Sequence, residues 1–352
     1  MDLFGPAMLA DPYTAYAELR QRDPVHWSDQ LGAWVLTRYD DVNTVLRDPT
    51  FSSTLGKEAD PSSGAAADLV EATAAFVHSS LVFSDPPEHT RLRRLVSRAF
   101  TPSAIEHLSG AITDEADRLL DRAGPQPDLV RDVAEPLPIA VLGKLLGVSL
   151  TEDEGRQLKT WCDDFLLPFG RDITTLSADE VERVRAAGGG LSGFVTTVLD
   201  RHDSAADDDV IGRLVAGEVD DRLSRQELFA NIVLLLIAGH ENSTSLIANG
   251  VVWLLDLPDV RHLLTTEPHR WSDVVSELLR LVTPNQFIRR LALRTPRSPA
   301  SRCERVRRCS SCWPPPTVTR SGSRSRTRSC STDPSDETSP SGRAPTIASV
   351  PH

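Results

Sequence analysis

One apolar stretch, residues 228–255, constrains the fold of this chain more than any other feature. It holds 28 residues, contains no Pro and places apolar side chains at nearly every turn of a helix. This pattern predicts a single buried helix of about 42 Å, at ~1.5 Å per residue. Polar residues interrupt its centre, where a lipid-facing helix would leave them without partners: His240, Glu241, Asn242, Ser243 and Thr244.

A buried helix with a polar centre has two interpretations. The helix passes a cofactor or substrate at that point, or its polar side chains form a satisfied network inside an ordinary core. The stretch by itself favours neither interpretation.

Composition narrows the class of protein. The 352 residues are 40% hydrophobic and 25% charged, with a net charge of −12, which suits one large domain or two ordinary ones. Residues 1–16 show no basic segment followed by an apolar run, so neither a signal peptide nor a membrane anchor is predicted. We expect a cytoplasmic, monomeric protein that binds neither membranes nor nucleic acid.

The composition changes abruptly at Arg294. Residues 294–352 hold 11 Arg against 4 acidic residues, a net charge of +7, whereas residues 1–293 hold 27 basic against 46 acidic residues, a net charge of −19. The tail has no Leu, Phe or Tyr and carries four of the five Cys. Such a segment buries too little apolar surface to offset its ordering entropy. We therefore predict a folded body over 1–293 and a disordered tail over 294–352.

Periodicity predicts several elements of the body. Residues 11–22 form a short amphipathic helix, and two β-like runs around Leu31 and Gly32 form a hairpin. Residues 41–46 and 271–282 have helical spacing, 56–75 resemble a mobile loop or weak helix, and the run at 283–293 turns extended. A helix over 89–100 follows two prolines.

Two pairs of side chains on these helices are candidate sites. His89 and Arg93 are four residues apart and share one helix face, which suits the binding of a ligand that carries two negative charges. A solvent-exposed basic face is the simpler interpretation. Glu277 and Arg280 are three apart and can form an ion pair, which is a weak signal when isolated.

Taken in order, five motifs over residues 11–293 resemble the cytochrome P450 family, the haem-thiolate monooxygenases, in its soluble bacterial form. They are DPYTAYAELR, GAWVLTRYDDV, DPPEHTRLRRLVSRAFTP, the AGHEN helix, and ELLR followed by RRLAL. The resemblance implies a mainly α fold with a small β portion, here incomplete at the C-terminus. It also implies haem b as cofactor, dioxygen and a small hydrophobic organic molecule as substrates, and electrons from a ferredoxin and its reductase.

The resemblance also assigns roles to residues. Ala238 and Gly239 match the small-residue step that opens an oxygen-binding groove in the distal helix. Glu241 matches the acid of an acid–alcohol pair that delivers protons, but Asn242 stands where the alcohol, usually Thr, is expected, with Ser243 next. Because an amide does not shuttle protons as a hydroxyl does, we expect Ser243, ordered water or a substrate hydroxyl to take part.

Other matches concern charged side chains. His89, Arg93 and Arg290 match the contacts to the haem propionates, and Glu277 with Arg280 matches a buried structural pair. The family's iron ligand is a Cys in the motif F-x-x-G-x-H-x-C-x-G, whose thiolate favours O–O cleavage. None of the five cysteines has these surroundings, so no metal ligand is predicted in the printed sequence.

A shifted reading frame accounts for the tail. In a shifted reading frame, each new codon joins the third base of one printed codon to the first two bases of the next. In this frame the codons of residues 313–320 can encode AAANRDP. The codons of residues 339–351 can encode AFGAGPHHCLGA, which contains the ligand motif. We therefore interpret 294–352 as an out-of-frame translation that begins near Leu293.

Two alternatives remain. The first is a haem-free, non-catalytic remnant that at most binds hydrophobic ligands. The second is a zinc or nucleic-acid module built on the tail's cysteines, although a fourth zinc ligand at regular spacing is missing from the tail.

Overall fold

Helices dominate the structure, which confirms the prediction of a mainly α fold. In this computed structural model the described residues are 3, 5–54, 73–100, 102–169, 176–202, 210–215, 222–293 and 309–312. The loop predicted at 56–75 lies outside these ranges except for 73–75, which are helical. No helix in the described ranges combines enough length with enough apolarity for a bilayer crossing.

The helices predicted at 11–22, 41–46, 89–100, 228–255 and 271–282 agree with observed helices to within a few residues at each end. The described helices are α1 (Pro6–Ala10), α2 (Pro12–Arg22), α3 (Tyr39–Arg47), α4 (73–79), α5 (Glu88–Ala99), α6 (Pro102–Ala123), α7 (Pro136–Leu145), α8 (Glu152–Leu166), α9 (Ala178–His202), α10 (Val210–Val215), α11 (Arg225–Leu255), α12 (Pro258–Thr266) and α13 (Trp271–Leu281). Shorter helical turns lie at Leu81–Phe83, Val130–Ala134, Leu167–Phe169 and Pro268–Arg270.

Helix α11 begins three residues before the apolar stretch because a capping box starts it. The Ser224 hydroxyl accepts the Glu227 amide at 3.2 Å, and the Glu227 carboxylate accepts the Ser224 amide at 2.7 Å. This reciprocal pair satisfies two amide groups that the first helical turn leaves without carbonyl partners.

Burial of α11 is uneven along its length. Its N-terminal half is packed among α5, α7, α8 and α9 in the main core, whereas Val252 and Leu255 are 58% and 59% exposed. The prediction that the whole helix is buried is therefore wrong for its C-terminal half. A helix that is apolar all round needs neighbours on every side, and the described elements that pack on this half are α12 and α13.

A five-stranded sheet flanks the helices, with strand order β1-β2-β5-β4-β3. The strands are β1 (Val25–Ser28), β2 (Ala33–Leu36), β3 (Phe51–Ser52), β4 (Phe287–Ala292) and β5 (Cys309–Cys312). Strands β1 and β2 form the predicted antiparallel hairpin, in which Trp27 lies opposite Trp34. Gly32 in the turn has φ of +57°, a conformation that costs glycine little.

Strand β5 is the described part of the tail. It pairs in parallel with β2 and antiparallel with β4. Strands β2 and β4 otherwise present unpaired backbone groups to each other, and an extended segment satisfies them through its backbone, whatever its side chains. The remaining tail residues lie outside the described ranges.

Two adjacent glycines in α9 give opposite expectations. A Cβ on Gly190 would overlap the indole ring of Trp161 in α8, whereas a Cβ on Gly189 would meet nothing within 4 Å. We expect Gly190→Ala to lower the free energy of unfolding by about 2 kcal/mol through overpacking. We expect Gly189→Ala to raise it by roughly 0.5–1 kcal/mol, because Ala restricts the unfolded chain and favours helix. Urea unfolding of both variants checks the pair, and equal changes would contradict this packing.

Candidate active site

The polar centre of α11 contains a buried histidine, His240. His240 is 4% exposed, and neither of its ring nitrogens has a hydrogen-bond partner among the described residues. The Thr244 hydroxyl, one turn later on the same face, is buried and equally without a described partner. Burial lowers the pKa of His240, so the ring is neutral near pH 7. A buried polar group without a hydrogen bond lowers the free energy of unfolding. The sequence indicated these two groups only through the polar run in the helix.

Glu241 is on a different side of the helix and remains solvent-accessible, yet enough protein surrounds its carboxyl group to perturb it. Desolvation raises the pKa of Glu241, the nearby Asp163 carboxylate raises it further, and Lys159 opposes both. A glutamate with a raised pKa keeps its proton to higher pH, as a proton donor near neutral pH requires.

Asn242 uses both ends of its carboxamide. Its Nδ2 donates to the carbonyl oxygen of Ala238 at 3.0 Å, and its Oδ1 accepts from Nδ2 of Asn285 at 3.1 Å. Asn285 lies in the turn between α13 and β4, 43 residues away in sequence, and sequence reasoning missed it. Ser243, the next residue along α11, is half-buried.

The two small residues before His240 have different surroundings. A Cβ on Gly239 would lie 2.8 Å from Cδ2 of Leu142 in α7. The missing side chain of Gly239 makes room for Leu142 and brings α7 close, and the groove at this step stays a prediction. Ala238 is half-buried and offers its carbonyl to Asn242.

A cluster of positive charge forms where α5 meets β4. His89 and Arg93 share a face of α5 as predicted, and Arg290 of β4 lies close enough for both arginines to lower the pKa of His89. Burial is the largest cause of the lowered pKa of His89 and also lowers the pKa of Arg290. The Asp85 carboxylate opposes both shifts. The cluster therefore holds two arginines and a histidine against one nearby carboxylate.

Asp85 fixes the position of this cluster. It accepts the Ser53 amide at 2.8 Å and the Ser52 hydroxyl, which joins the end of β3 to the segment before α5. Strand β3 in turn pairs with β4, which carries Arg290. The sequence contains Asp85 before its two prolines, but its link to Ser52 depends on contacts across 33 residues.

The pair Glu277 and Arg280 forms but is not buried. Nε of Arg280 donates to the Glu277 carboxylate at 2.7 Å, while the two side chains are 42% and 52% exposed. The prediction of a buried pair is wrong for the described part of the chain, in which α13 has no buried residue. Exposed pairs of this kind contribute roughly 0–1 kcal/mol.

The described residues fit one part of a haem group. A partly desolvated cluster of cations suits the two propionates, which are carboxylates. The described residues do not supply the thiolate that binds the iron. Cys162 is 3% exposed and burial raises its pKa to about 12, so it stays a neutral thiol and packs as a core residue. No group of three or more His, Cys, Asp or Glu side chains in the described ranges is arranged to hold a metal ion.

Comparisons with known proteins show the family. No protein-family model matches the chain. The vitamin D(3) 25-hydroxylase of Pseudonocardia autotrophica is 38% identical over 297 residues, 80% of this chain and 67% of that protein. The cytochrome P450 monooxygenase PikC of Streptomyces venezuelae is 34% identical over 291 residues, 80% of this chain and 65% of that protein.

A solved structure agrees with these relatives. The crystal structure of myxobacterial cytochrome P450 CYP267B1 in complex with myristic acid superposes with a TM-score of 0.73 and 30% identity, covering 88% of this chain and 77% of that one. The matched region spans about two thirds of the length of the curated relatives. On this identity and coverage, the chain belongs to the cytochrome P450 family.

Proposed function

We propose that the chain derives from a haem-dependent monooxygenase that inserts one oxygen atom from dioxygen into a small hydrophobic organic substrate. The relatives' names, a hydroxylase and a monooxygenase, support this activity. Electrons come from a ferredoxin and its reductase, as in the soluble bacterial members that the sequence resembles. The observation that carries the proposal is the cluster of His89, Arg93 and Arg290 where α5 meets β4, in which the two guanidinium groups supply the positive charge.

Each group of residues has a separate task in this proposal. The cation cluster would hold the propionates of haem b, which when bound supplies the chemistry of dioxygen activation. Ala238 keeps the adjacent helical step small. Desolvation raises the pKa of Glu241, which favours its role as the carboxyl group that passes protons from α11. Asn242 accepts and donates hydrogen bonds without releasing a proton, so Ser243, ordered water or a substrate hydroxyl completes the relay.

We also propose that residues 294–352 are an out-of-frame translation, and that the restored frame supplies the Cys motif. The sequence supports this proposal, because one reading offset permits both AAANRDP over residues 313–320 and AFGAGPHHCLGA over residues 339–351. A haem-free remnant is the alternative function for the printed sequence.

An arginine substitution tests the cation cluster. In protein expressed from the restored frame, we expect Arg290→Leu to reduce haem retained after purification by about tenfold, because a charge-assisted pair is lost from a partly desolvated site. The measurement is haem per polypeptide from the pyridine haemochrome spectrum. Arg94→Leu is the matched control, since Arg94 is exposed on the same helix as Arg93, and it should retain haem. Equal haem content in both variants would rule out the assigned role of Arg290.

A further inference from the structure

A pair of carboxamides connects α11 to the turn that precedes β4. Asn285 donates to Oδ1 of Asn242 at 3.1 Å, and Asn242 donates to the Ala238 carbonyl at 3.0 Å. The resulting chain of hydrogen bonds runs from the turn into the centre of α11, directly beside Glu241. The carboxamide of Asn242 supplies the donor to Ala238 and the acceptor for Asn285 on separate atoms.

The turn presents Asn285 in a fixed position. Gln286 donates to the Thr283 carbonyl at 2.6 Å, and the Val282 amide donates to the Leu278 carbonyl at 2.7 Å, which closes the end of α13. Strand β4 begins two residues after Asn285 and is paired on both sides. The turn is therefore held at both ends, and Asn285 needs little further ordering to contact a ligand.

The pair retains unused hydrogen-bonding groups on its open side. Asn285 is exposed, and within the described ranges its Oδ1 accepts no hydrogen bond, while one hydrogen of its Nδ2 is also unused. Asn242 is half-buried and already engaged. An acceptor and a donor on one rigid carboxamide match a hydroxyl group, which both donates and accepts.

We propose that Asn285, held by Asn242, recognises a hydroxyl group on the substrate and so selects hydroxylated molecules over plain hydrocarbons. The proposal rests on the proposed function, because it takes the space beside Glu241 as the substrate site. The proposal also explains why Asn242 stands where the family usually has Thr. Asn242 holds Asn285, the residue that selects the substrate, in position.

Ligand binding to the full printed chain tests the proposal without haem. The probes are cyclohexanol and methylcyclohexane, which have similar size and differ in the hydroxyl group, and their dissociation constants are measured by isothermal titration. We expect the unchanged chain to prefer the alcohol by roughly fivefold relative to Asn285→Leu, the usual worth of one net hydrogen bond. Asn249→Leu, an exposed amide on the same helix, should keep the preference. An unchanged ratio in Asn285→Leu would overturn the proposal.

A second measurement establishes that the pair itself exists. A double-mutant cycle with Asn242→Ala and Asn285→Ala, followed by urea unfolding, should show coupling of about threefold in the unfolding equilibrium constant. Asn285→Asp should remove the coupling as completely as Ala, since it sets two acceptors against each other. Additive effects would contradict the pair. Haem content in the restored frame is independent of both results, so a failure of the monooxygenase assignment remains distinguishable from a failure of this inference.

Discussion

Protein of the printed sequence, reduced under carbon monoxide, is expected to show no absorption band at the position characteristic of a haem-thiolate complex. A cysteine binds iron as its thiolate. Cys162 is buried and its pKa is raised to about 12, so almost none of it is deprotonated near pH 7. The other four cysteines lie in the tail without the ligand motif. The expected effect is the complete loss of the band.

The restored frame is the control for this prediction. Resequencing the codons for residues 292–297 shows whether one base is gained or lost, and a gene corrected by that base should encode AFGAGPHHCLGA. The corrected protein is expected to give the band with close to one haem per chain. A band from the printed sequence would refute the prediction, and an unchanged DNA sequence would favour the haem-free remnant.

Replacement of Asn231 by Ala is expected to lower the free energy of unfolding by about 3 kcal/mol. Asn231 is 1% exposed and makes three hydrogen bonds within the core. Its Oδ1 accepts the Leu81 amide at 3.0 Å, and its Nδ2 donates to the carbonyls of Ser79 and Glu227 at 3.2 and 2.8 Å. Alanine leaves the Leu81 amide buried without an acceptor and detaches the segment after α4 from α11.

Urea unfolding with two further variants isolates the cause. Asn249→Ala removes an exposed amide from the same helix and should change stability by less than about 0.5 kcal/mol. Asn231→Asp keeps the size but loses both donor hydrogens and buries a charge, so it should destabilise at least as much as Ala. A loss below about 1 kcal/mol for Asn231→Ala would mean that water replaces these bonds at little cost.

The sequence by itself determined five of the described helices, the first hairpin and several pairs of side chains within them. The 3.6-residue period located α11 and α13, and alternation with Gly32 located the β1–β2 hairpin. His89 and Arg93 were placed together correctly because residues four apart share a helix face whatever the surrounding structure. These inferences hold since they depend on backbone geometry over a few residues.

Tertiary structure alone decided which distant groups meet. Arg290 reaches His89 because β4 pairs with β3, and β3 is tied to Asp85. Asn285 reaches Asn242 across 43 residues, and Gly239 faces Leu142. Such contacts depend on how helices and strands pack, and packing follows the shapes of many side chains at once. Local periodicity does not specify which distant helices and strands pack together. The motif residues were therefore predictable from the sequence, and their neighbours in space were not.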